Sequence, residues 1–425
     1  MTDRRAETGP HGWATALILV GLALLISVRM PEIIIKGRFW AEDGRDFFRN
    51  AWVMPPWRAI WTPDPGAGYI NLVASAAAVA ARWFLPLRFA PYLTIGVALF
   101  FQLMPPVLLL TARDVWLRDV RVRLAAVLLI LLIPSSEEVW LASIESQYLL
   151  MLCCGIILAL DPCEGWIAVL RVGLLVVAPL SGPGAIALLP IFVLRAAVDR
   201  SWPRVLQVFA LGTGTAIQLF GFFTMVPGRA RELHLTILLS ILTVRHIALP
   251  FLGSAHAEEI AAVLRSMIQE GHRPLAAVLL PVVIFVGLLV AASRVGIRRP
   301  AVWLLGGGVL TAGISYFGAF IPHIKAVVLV SATAAERYTF APQALFALSI
   351  LALAATSGRR VATLAWAASV WLLVIGTSEY FFQDWPADGP AWRPQIAGWQ
   401  ADPNRNLQIW PAGWAMQLQR LPGSR

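Results

Sequence analysis

The feature that most constrains this chain is the recurrence of long apolar stretches between residues 13 and 377. Most of them approach the roughly 20 residues that a helix needs to cross the hydrocarbon core of a bilayer. Only 14% of the residues are charged, whereas about a quarter are charged in soluble proteins. The runs also lack the polar and apolar alternation of membrane barrel strands. We therefore expect an all-α polytopic membrane protein.

The formal net charge of +10 reflects topology and does not indicate a nucleic-acid partner. The arginines form short clusters between apolar runs, as cytoplasmic loops do under the positive-inside rule. Arg4 and Arg5 precede the first run, and no small-residue cleavage site follows it. We therefore expect a cytoplasmic N-terminus and an uncleaved first helix. The three cysteines have no zinc or disulfide spacing, which indicates packing residues.

These rules predict about eleven transmembrane helices, with interfacial helices in the outer loops. If residues 69–85 also spanned, the arginine cluster at 112–123 would face outward, so we expect an interfacial helix there. Residues 235–252 could span or lie outside. The expected spans are 13–35, 91–111, 124–133, 148–160, 166–178, 185–197, 205–226, 275–292, 301–321, 338–355 and 361–377.

The map divides the chain into a transmembrane domain, 1–377, and a Trp- and Pro-rich tail, 378–425, on the outer face. Residues 36–90 form the first outer loop and 227–274 an outer amphipathic region. The tail tryptophans could stack on sugar rings or could anchor and pack the segment, and the second role is favoured.

The segment FWAEDGRDFFRN concentrates charge directly after the first helix, with Glu42, Asp43 and Asp46. A carboxylate just outside the membrane can deprotonate a hydroxyl group or hold a metal against a phosphate. The alternative is a set of solvated loop charges paired with Arg45 and Arg49. We expect Asp43 to be the first catalytic candidate, Glu42 the second, and Asp46 a partner of a neighbouring arginine.

Two further positions on the same face carry suitable chemistry. Glu145, a third catalytic candidate, and Gln147, a substrate-binding candidate, stand where the second outer loop re-enters the membrane. Glu145 could bind the acceptor or share a metal, or it could be an ordinary charge at a helix end. Arg337 and Tyr338 stand before a late helix, where a guanidinium could grip a phosphate or could snorkel beside a belt tyrosine. Other substrate-binding candidates on that face are Asp46, Arg231, His234, His323 and Lys325.

This arrangement resembles the GT-C superfamily of integral-membrane glycosyltransferases. WAEDGRDFF is similar to the acidic motif of their first outer loop, Glu145 to a second acidic loop, and Arg337 with Tyr338 to a late element before a helix. The resemblance implies a polyprenyl-phosphate-linked sugar donor, a glycan or lipid acceptor, and the outer face of a bacterial-type inner membrane. It implies a base at Asp43 or Glu42 and donor phosphate binding near Arg337.

Two matters stay open at this point. A divalent cation, Mg or Mn, could bind Glu42, Asp43 and Glu145, although no spacing demands one. A transporter or flippase of a lipid-linked anion, or a non-catalytic polysaccharide-assembly subunit, would have similar hydropathy. The position of the charges at outer helix ends favours an enzyme, since a transporter would need ionisable residues in mid-membrane.

Overall fold

A computed structural model of the protein describes residues 12–65, 68–225, 234–319, 326–381 and 389–419. In these ranges, eight helical segments are long and apolar enough to cross a membrane, or nine if one bent helix pair is a single span. The chain is therefore a multi-pass membrane protein of helical architecture. The helices are α1 (Gly12–Arg29), α2 (Pro31–Lys36), α3 (Arg49–Val53), α4 (Pro56–Trp61), α5 (Leu72–Phe84), α6 (Ala90–Thr111), α7 (Val120–Leu131), α8 (Ser146–Ala159), α9 (Trp166–Leu180), α10 (Leu189–Asp199), α11 (Trp202–Met225), α12 (Leu235–Thr243), α13 (Leu249–Gln269), α14 (Leu275–Val295), α15 (Pro300–Ala319), α16 (Arg337–Thr356), α17 (Arg359–Glu379) and α18 (Trp392–Ala401).

The expected number of about eleven spans included two segments that form short helices. Helix α7 has 12 residues and α8 has 14, so α8 is only about 21 Å long. All residues of α8 are buried, and it packs against α6, α9, α15 and α16. Because protein surrounds α8, its length does not have to match the bilayer, and hydropathy alone does not identify such a helix as a span.

Helices α8 and α16 form the centre of the bundle, and glycines allow them to approach their neighbours closely. A Cβ atom on Gly155 of α8 would lie 2.6 Å from Leu345 of α16. A Cβ atom on Gly308 of α15 would lie 2.7 Å from Phe346 of α16. Real Cβ atoms are not found so close to a neighbour, so a larger residue at either glycine would displace the side chain of Leu345 or of Phe346.

Helix α5 corresponds to the segment expected at the membrane interface. Its 13 residues reach about 20 Å, which is short of the roughly 30 Å hydrocarbon core. Small residues, including Ala74, Ala77 and Ala81, are buried on one face, while Trp83 and Phe84 are exposed at the end of the helix.

Residues 235–269 form one apolar helical segment, interrupted twice. A π-helical turn, Val244–Ala248, joins α12 to α13. Gly253, with φ 81°, then kinks α13. At this kink, the carboxylate of Glu379 accepts a hydrogen bond from Ser254 N at 3.2 Å. The expected amphipathic helix is the part of α13 after this kink, with Leu264 buried and Val263 exposed.

The C-terminal segment adds a small sheet to the helical fold, which the all-α prediction did not include. Strands β1 (Leu407–Ile409) and β2 (Trp414–Met416) are antiparallel, and Leu407 lies opposite Met416. Alternate burial of Leu407 and Ile409 directs one face of the sheet onto residues 39–52.

Candidate active site

The segment FWAEDGRDFFRN, residues 39–50, which we name the acidic segment, is held in place by the C-terminal segment. Trp40 and Trp410 form a parallel bridge, in which Ala41 N donates to Trp410 O at 2.5 Å and Trp410 N donates to Phe39 O at 3.1 Å. The chain then enters a π-helical turn, Asp43–Phe48. The backbone that carries Glu42 and Asp43 is therefore tied to residues more than 360 positions away in the sequence.

The tail tryptophans pack against this segment. Trp392 and Trp410 are almost completely buried, and the Trp392 ring meets the Phe39 ring edge to face at 5.1 Å. A Cβ atom on Gly44 would lie 2.9 Å from Ile409, so the π-helical turn rests directly on β1. These contacts support packing as the role of the tail tryptophans.

Asp43 joins the acidic segment to a second loop, residues 134–145. Its carboxylate accepts hydrogen bonds from Ser143 Oγ at 2.7 Å and from Ser143 N at 3.1 Å. Burial raises the pKa of Asp43 to about 7, although the Ser143 hydrogen bond and the nearby Arg38 guanidinium oppose this shift. Such a group is poised to exchange a proton near neutral pH.

Arg38 is the buried cation beside Asp43. It is 2% exposed, donates to Trp140 O and lies over the Trp40 ring at 4.8 Å. Burial lowers the pKa of Arg38 to about 9, while Asp43 and Glu145 oppose the shift. Arg38 therefore remains charged at neutral pH and stabilises the ionised form of either carboxyl group.

Glu145 follows at the start of α8 and lies near the same groups. Burial raises the pKa of Glu145 well above its ordinary value, Arg337 opposes the shift, and Glu138, Glu42 and Asp43 add to it. Its Oε2 atom is buried and has no hydrogen-bond partner. An unpartnered buried carboxyl oxygen is costly in a fold and is found where a ligand or a proton can satisfy it.

Gln147 lies two residues after Glu145, in the first turn of α8, and connects two additional loops to the site. Its Nε2 donates to Tyr69 OH at 3.1 Å. A Cβ atom on Gly182 would lie 2.2 Å from Gln147 Oε1, so the turn between α9 and α10 also reaches this point. Burial raises the pKa of Tyr69, which keeps its hydroxyl group protonated.

Arg337 approaches from a third loop, residues 326–336, which leads into α16. Its guanidinium and its backbone N both donate to the carboxylate of Glu138. The Arg337 side chain is still 34% exposed, so part of the guanidinium can receive a further anionic partner. The Tyr338 ring meets the Tyr148 ring edge to face at 6.0 Å, which connects α16 to α8 beside Glu145.

The remaining expected residues have different positions. Asp46 is paired with Arg45 at 2.8 Å, as expected, and Arg45 lies over Trp414 at 4.2 Å. His234 is exposed. Arg231, His323 and Lys325 lie outside the residues that the structure describes. The expected donor-binding group therefore consists of Arg337 and Tyr338 in the described part of the chain.

Glu42 is half-buried and completes the cluster. Burial raises its pKa, a hydrogen bond to its own backbone and the nearby Arg337 guanidinium oppose the shift, and Asp64 adds to it. The resulting set, which we name the acidic cluster, draws on three loops that are far apart in the sequence. Its members are Glu42, Asp43, Asp64, Glu138 and Glu145, with Arg38 and Arg337 as the neighbouring cations.

Backbone strain concentrates in the same loops. Five non-glycine residues of the described ranges have positive φ, and four of them are Ala41, Ser135, Leu141 and Ala335. Ala41 precedes Glu42, Ser135 and Leu141 lie in the second loop, and Ala335 precedes Glu336. Residues in this region of φ cost free energy and are retained where surrounding contacts impose them, commonly at functional sites.

Several residues of the site were absent from the sequence prediction. Arg38, Ser143, Asp64 and Tyr69 are single polar residues in loops, and their importance depends on contacts with distant segments. The sequence prediction also lacked a second polar network, around Arg245 and His246. Arg245 donates hydrogen bonds to three backbone carbonyls of the third loop. His246 contacts Gln343 at 3.0 Å and Tyr316 at 3.3 Å. The sequence signal for this network is the adjacent pair Arg245 and His246 inside an apolar run.

No three His, Cys, Asp or Glu side chains of the described ranges form an arrangement that could hold a metal ion. Glu42, Asp43 and Glu145 are neighbours, but in these positions they are not such a group.

Comparison with known proteins gives no assignment: no family model, curated protein or solved structure matches this chain.

Proposed function

We propose that this protein is a membrane glycosyltransferase that moves a sugar from a polyprenyl-phosphate donor to a glycan or lipid-linked acceptor. The observation that carries the proposal is the convergence of Asp43, Glu42, Glu145 and Arg337 from three separate loops beside the ends of α8 and α16. We place the reaction on the outer face, as the arginine distribution predicts, and in a bacterial-type inner membrane, as the resemblance to GT-C transferases implies.

In this proposal, Asp43 is the general base. A carboxyl group with a pKa of about 7 can remove the proton of an acceptor hydroxyl group and retain enough basicity to assist its attack. The nucleophile then displaces the polyprenyl phosphate from the sugar carbon, with inversion at that carbon. The buried Arg38 stabilises the ionised state of Asp43 that the attack requires.

Arg337 binds the phosphate of the donor. A guanidinium group offers several donors in a fixed plane, which suits two phosphate oxygens. Its pairing with Glu138 fixes its position. Burial raises the pKa of the nearby Glu145 well above its ordinary value, which favours its neutral form; a neutral carboxyl group repels an anionic phosphate less than a carboxylate does and can donate a hydrogen bond.

The direct test is transfer by the full-length protein in proteoliposomes, offered a panel of sugars on a short polyprenyl phosphate. Release of polyprenyl phosphate that requires both an acceptor and Arg337 supports the proposal. Release that is equal in the wild type and in Arg337→Ala contradicts the phosphate-binding role. Repeating the assay with EDTA, and then with Mg²⁺ or Mn²⁺ restored, tests the requirement for a metal.

A transporter of a lipid-linked anion is the second candidate, because two observations favour it. Arg245 and His246 lie in a π-helical turn within a membrane-length segment. Helices α9 and Pro183–Asp199 form a bent pair at 117°, and broken helices with intramembrane charges are typical of transporters. Movement of a fluorescent lipid-linked anion across vesicles, without sugar transfer, would support this candidate against the enzyme.

A further inference from the structure

The buried contact between the second and third loops contains more carboxyl groups than cations. Glu137, Glu138 and Glu336 are each at most 3% exposed. Glu137 is paired with Arg29 of α1 at 2.6 Å, and Glu138 is paired with Arg337. Each of these two guanidinium groups thus already faces its own carboxylate, and Glu336 has no ion-pair partner in the described part of the chain.

Glu336 nevertheless occupies a position that holds the loops together. Its Oε2 accepts a hydrogen bond from Glu138 N at 3.2 Å, while Glu138 accepts from the backbone N of the next residue, Arg337, at 3.2 Å. The two glutamates therefore cross-link the second loop to the start of α16. This exchange fixes the backbone from which the Arg337 side chain extends.

The other carboxyl oxygen of Glu336, Oε1, indicates the protonation state of this group. Oε1 is buried, and no N–H or O–H group lies within hydrogen-bonding range of it. The carboxyl group of Glu137 is the neighbour with which Glu336 would share a hydrogen bond if one of the two carried a proton. Two ionised carboxylates cannot bond to each other, because both only accept, whereas a protonated carboxyl group supplies a donor.

We propose that Glu336 is a neutral carboxylic acid that donates a hydrogen bond to Glu137 and thereby positions Arg337. The shared proton reduces three buried negative charges to two, which the two guanidinium groups then match. Burial and the adjacent carboxylates of Glu137 and Glu138 both raise the pKa of Glu336, and Arg29 is the cation that faces it from α1. Glu336 is a positioning residue, since it acts through its neighbours.

The proposal makes opposite predictions for two adjacent glutamates. In Glu336→Gln, the amide oxygen replaces the acceptor for Glu138 N and the amide N–H replaces the donor to Glu137, so the contact is kept. In Glu138→Gln, the negative charge that faces Arg337 is lost, so the contact is weakened. Glu336→Ala removes both hydrogen bonds and leaves Glu138 N and the Glu137 carboxylate without them.

Infrared spectroscopy and melting of the full-length protein in nanodiscs test the proton directly. At pH 8 we expect the wild type to show a protonated-carboxyl band that Glu336→Gln reduces. As pH rises above 4.5, the ordinary pKa of a glutamate, Glu336 ionises in the unfolded chain, whereas in the folded protein we expect it to keep its proton. The wild type should therefore lose stability relative to Glu336→Gln as pH rises. An unchanged band, or a melting difference that does not vary with pH, would overturn the proposal.

The consequence for transfer rests on the proposed function, whereas the infrared and melting results do not. If both proposals hold, Glu336→Gln transfers sugar within about twofold of the wild type, and Glu138→Gln is slower by about tenfold, the effect of losing roughly 1.4 kcal/mol of positioning. If the wild type does not transfer sugar but shows the expected infrared band, only the proposed glycosyltransferase function is contradicted. If the wild type transfers sugar but Glu336→Gln leaves the infrared band unchanged, only the proposal of a neutral Glu336 is contradicted.

Discussion

Replacing Asp43 by Asn is the sharpest perturbation of the site, because the structure indicates that the substitution keeps its contacts. Asp43 accepts from Ser143 Oγ and from Ser143 N. In Asp43→Asn, the amide oxygen can accept from Ser143 N, and the amide N–H can donate to Ser143 Oγ after the hydroxyl group rotates. The variant therefore retains two hydrogen bonds to the second loop and loses only the ability to accept a proton.

The expected stability of this variant follows from the raised pKa of the carboxyl group. Ionising Asp43 is harder in the folded protein, because its pKa is about 7 instead of the ordinary 3.8. The folded state therefore loses stability as pH rises from about 4 to about 7, by a total on the order of 4 kcal/mol. The asparagine does not ionise, so we expect Asp43→Asn to melt at or above the wild-type temperature at pH 8.

The expected activity moves in the opposite direction. Loss of a general base lowers the rate by about 100-fold to 10,000-fold. The assay is single-turnover transfer in proteoliposomes at pH 8, with melting of the same preparations as the control for folding. Near-normal transfer by a well-folded Asp43→Asn protein would refute the base assignment. A variant that is inactive and also melts much lower would refute the hydrogen-bond replacement described above.

Three further predictions concern the surroundings of Asp43. In Ser143→Ala, loss of the Oγ hydrogen bond that lowers the pKa of Asp43 should move the rising limb of the pH–rate profile to higher pH and leave the plateau nearly unchanged; an unmoved limb means that another group controls it. In Trp410→Ala, removal of a side chain that is 1% exposed should cost about 3–5 kcal/mol of stability, measured by chemical unfolding, and a loss below about 1 kcal/mol would show that the tail does not support the acidic segment. Single cysteines at positions 45 and 390 should react with an impermeant reagent from outside and one at 119 should not, because the arginine cluster at 112–123 is expected inside; the reverse pattern would invert the proposed topology.

The helical architecture could be predicted from the sequence because apolar runs report directly on membrane burial. The number of spans could not, since α8 is short and completely enclosed by protein, and its length no longer follows bilayer thickness. The kink at Gly253 and the small sheet at Leu407–Met416 depend on contacts with Glu379 and with the acidic segment, which are distant in the sequence.

The candidate site was predictable to the extent that its residues stand out locally. Glu42 and Asp43 form a dense charged cluster, and Glu145 and Arg337 stand at the starts of apolar helices, so the sequence identified them and the structure places them close together. Arg38 and Ser143 have ordinary surroundings in the sequence. Their roles arise from burial and from a hydrogen bond that spans 100 positions, and one sequence without its relatives contains no sign of that contact.

The most direct test of the proposed function is a structure of the protein with a polyprenyl phosphate bound in a lipid nanodisc. We expect a phosphate oxygen within hydrogen-bonding distance of the Arg337 guanidinium, with the carboxyl group of Asp43 facing the same space. A phosphate bound instead beside Arg245 and His246, away from Asp43, would contradict the glycosyltransferase and support transport.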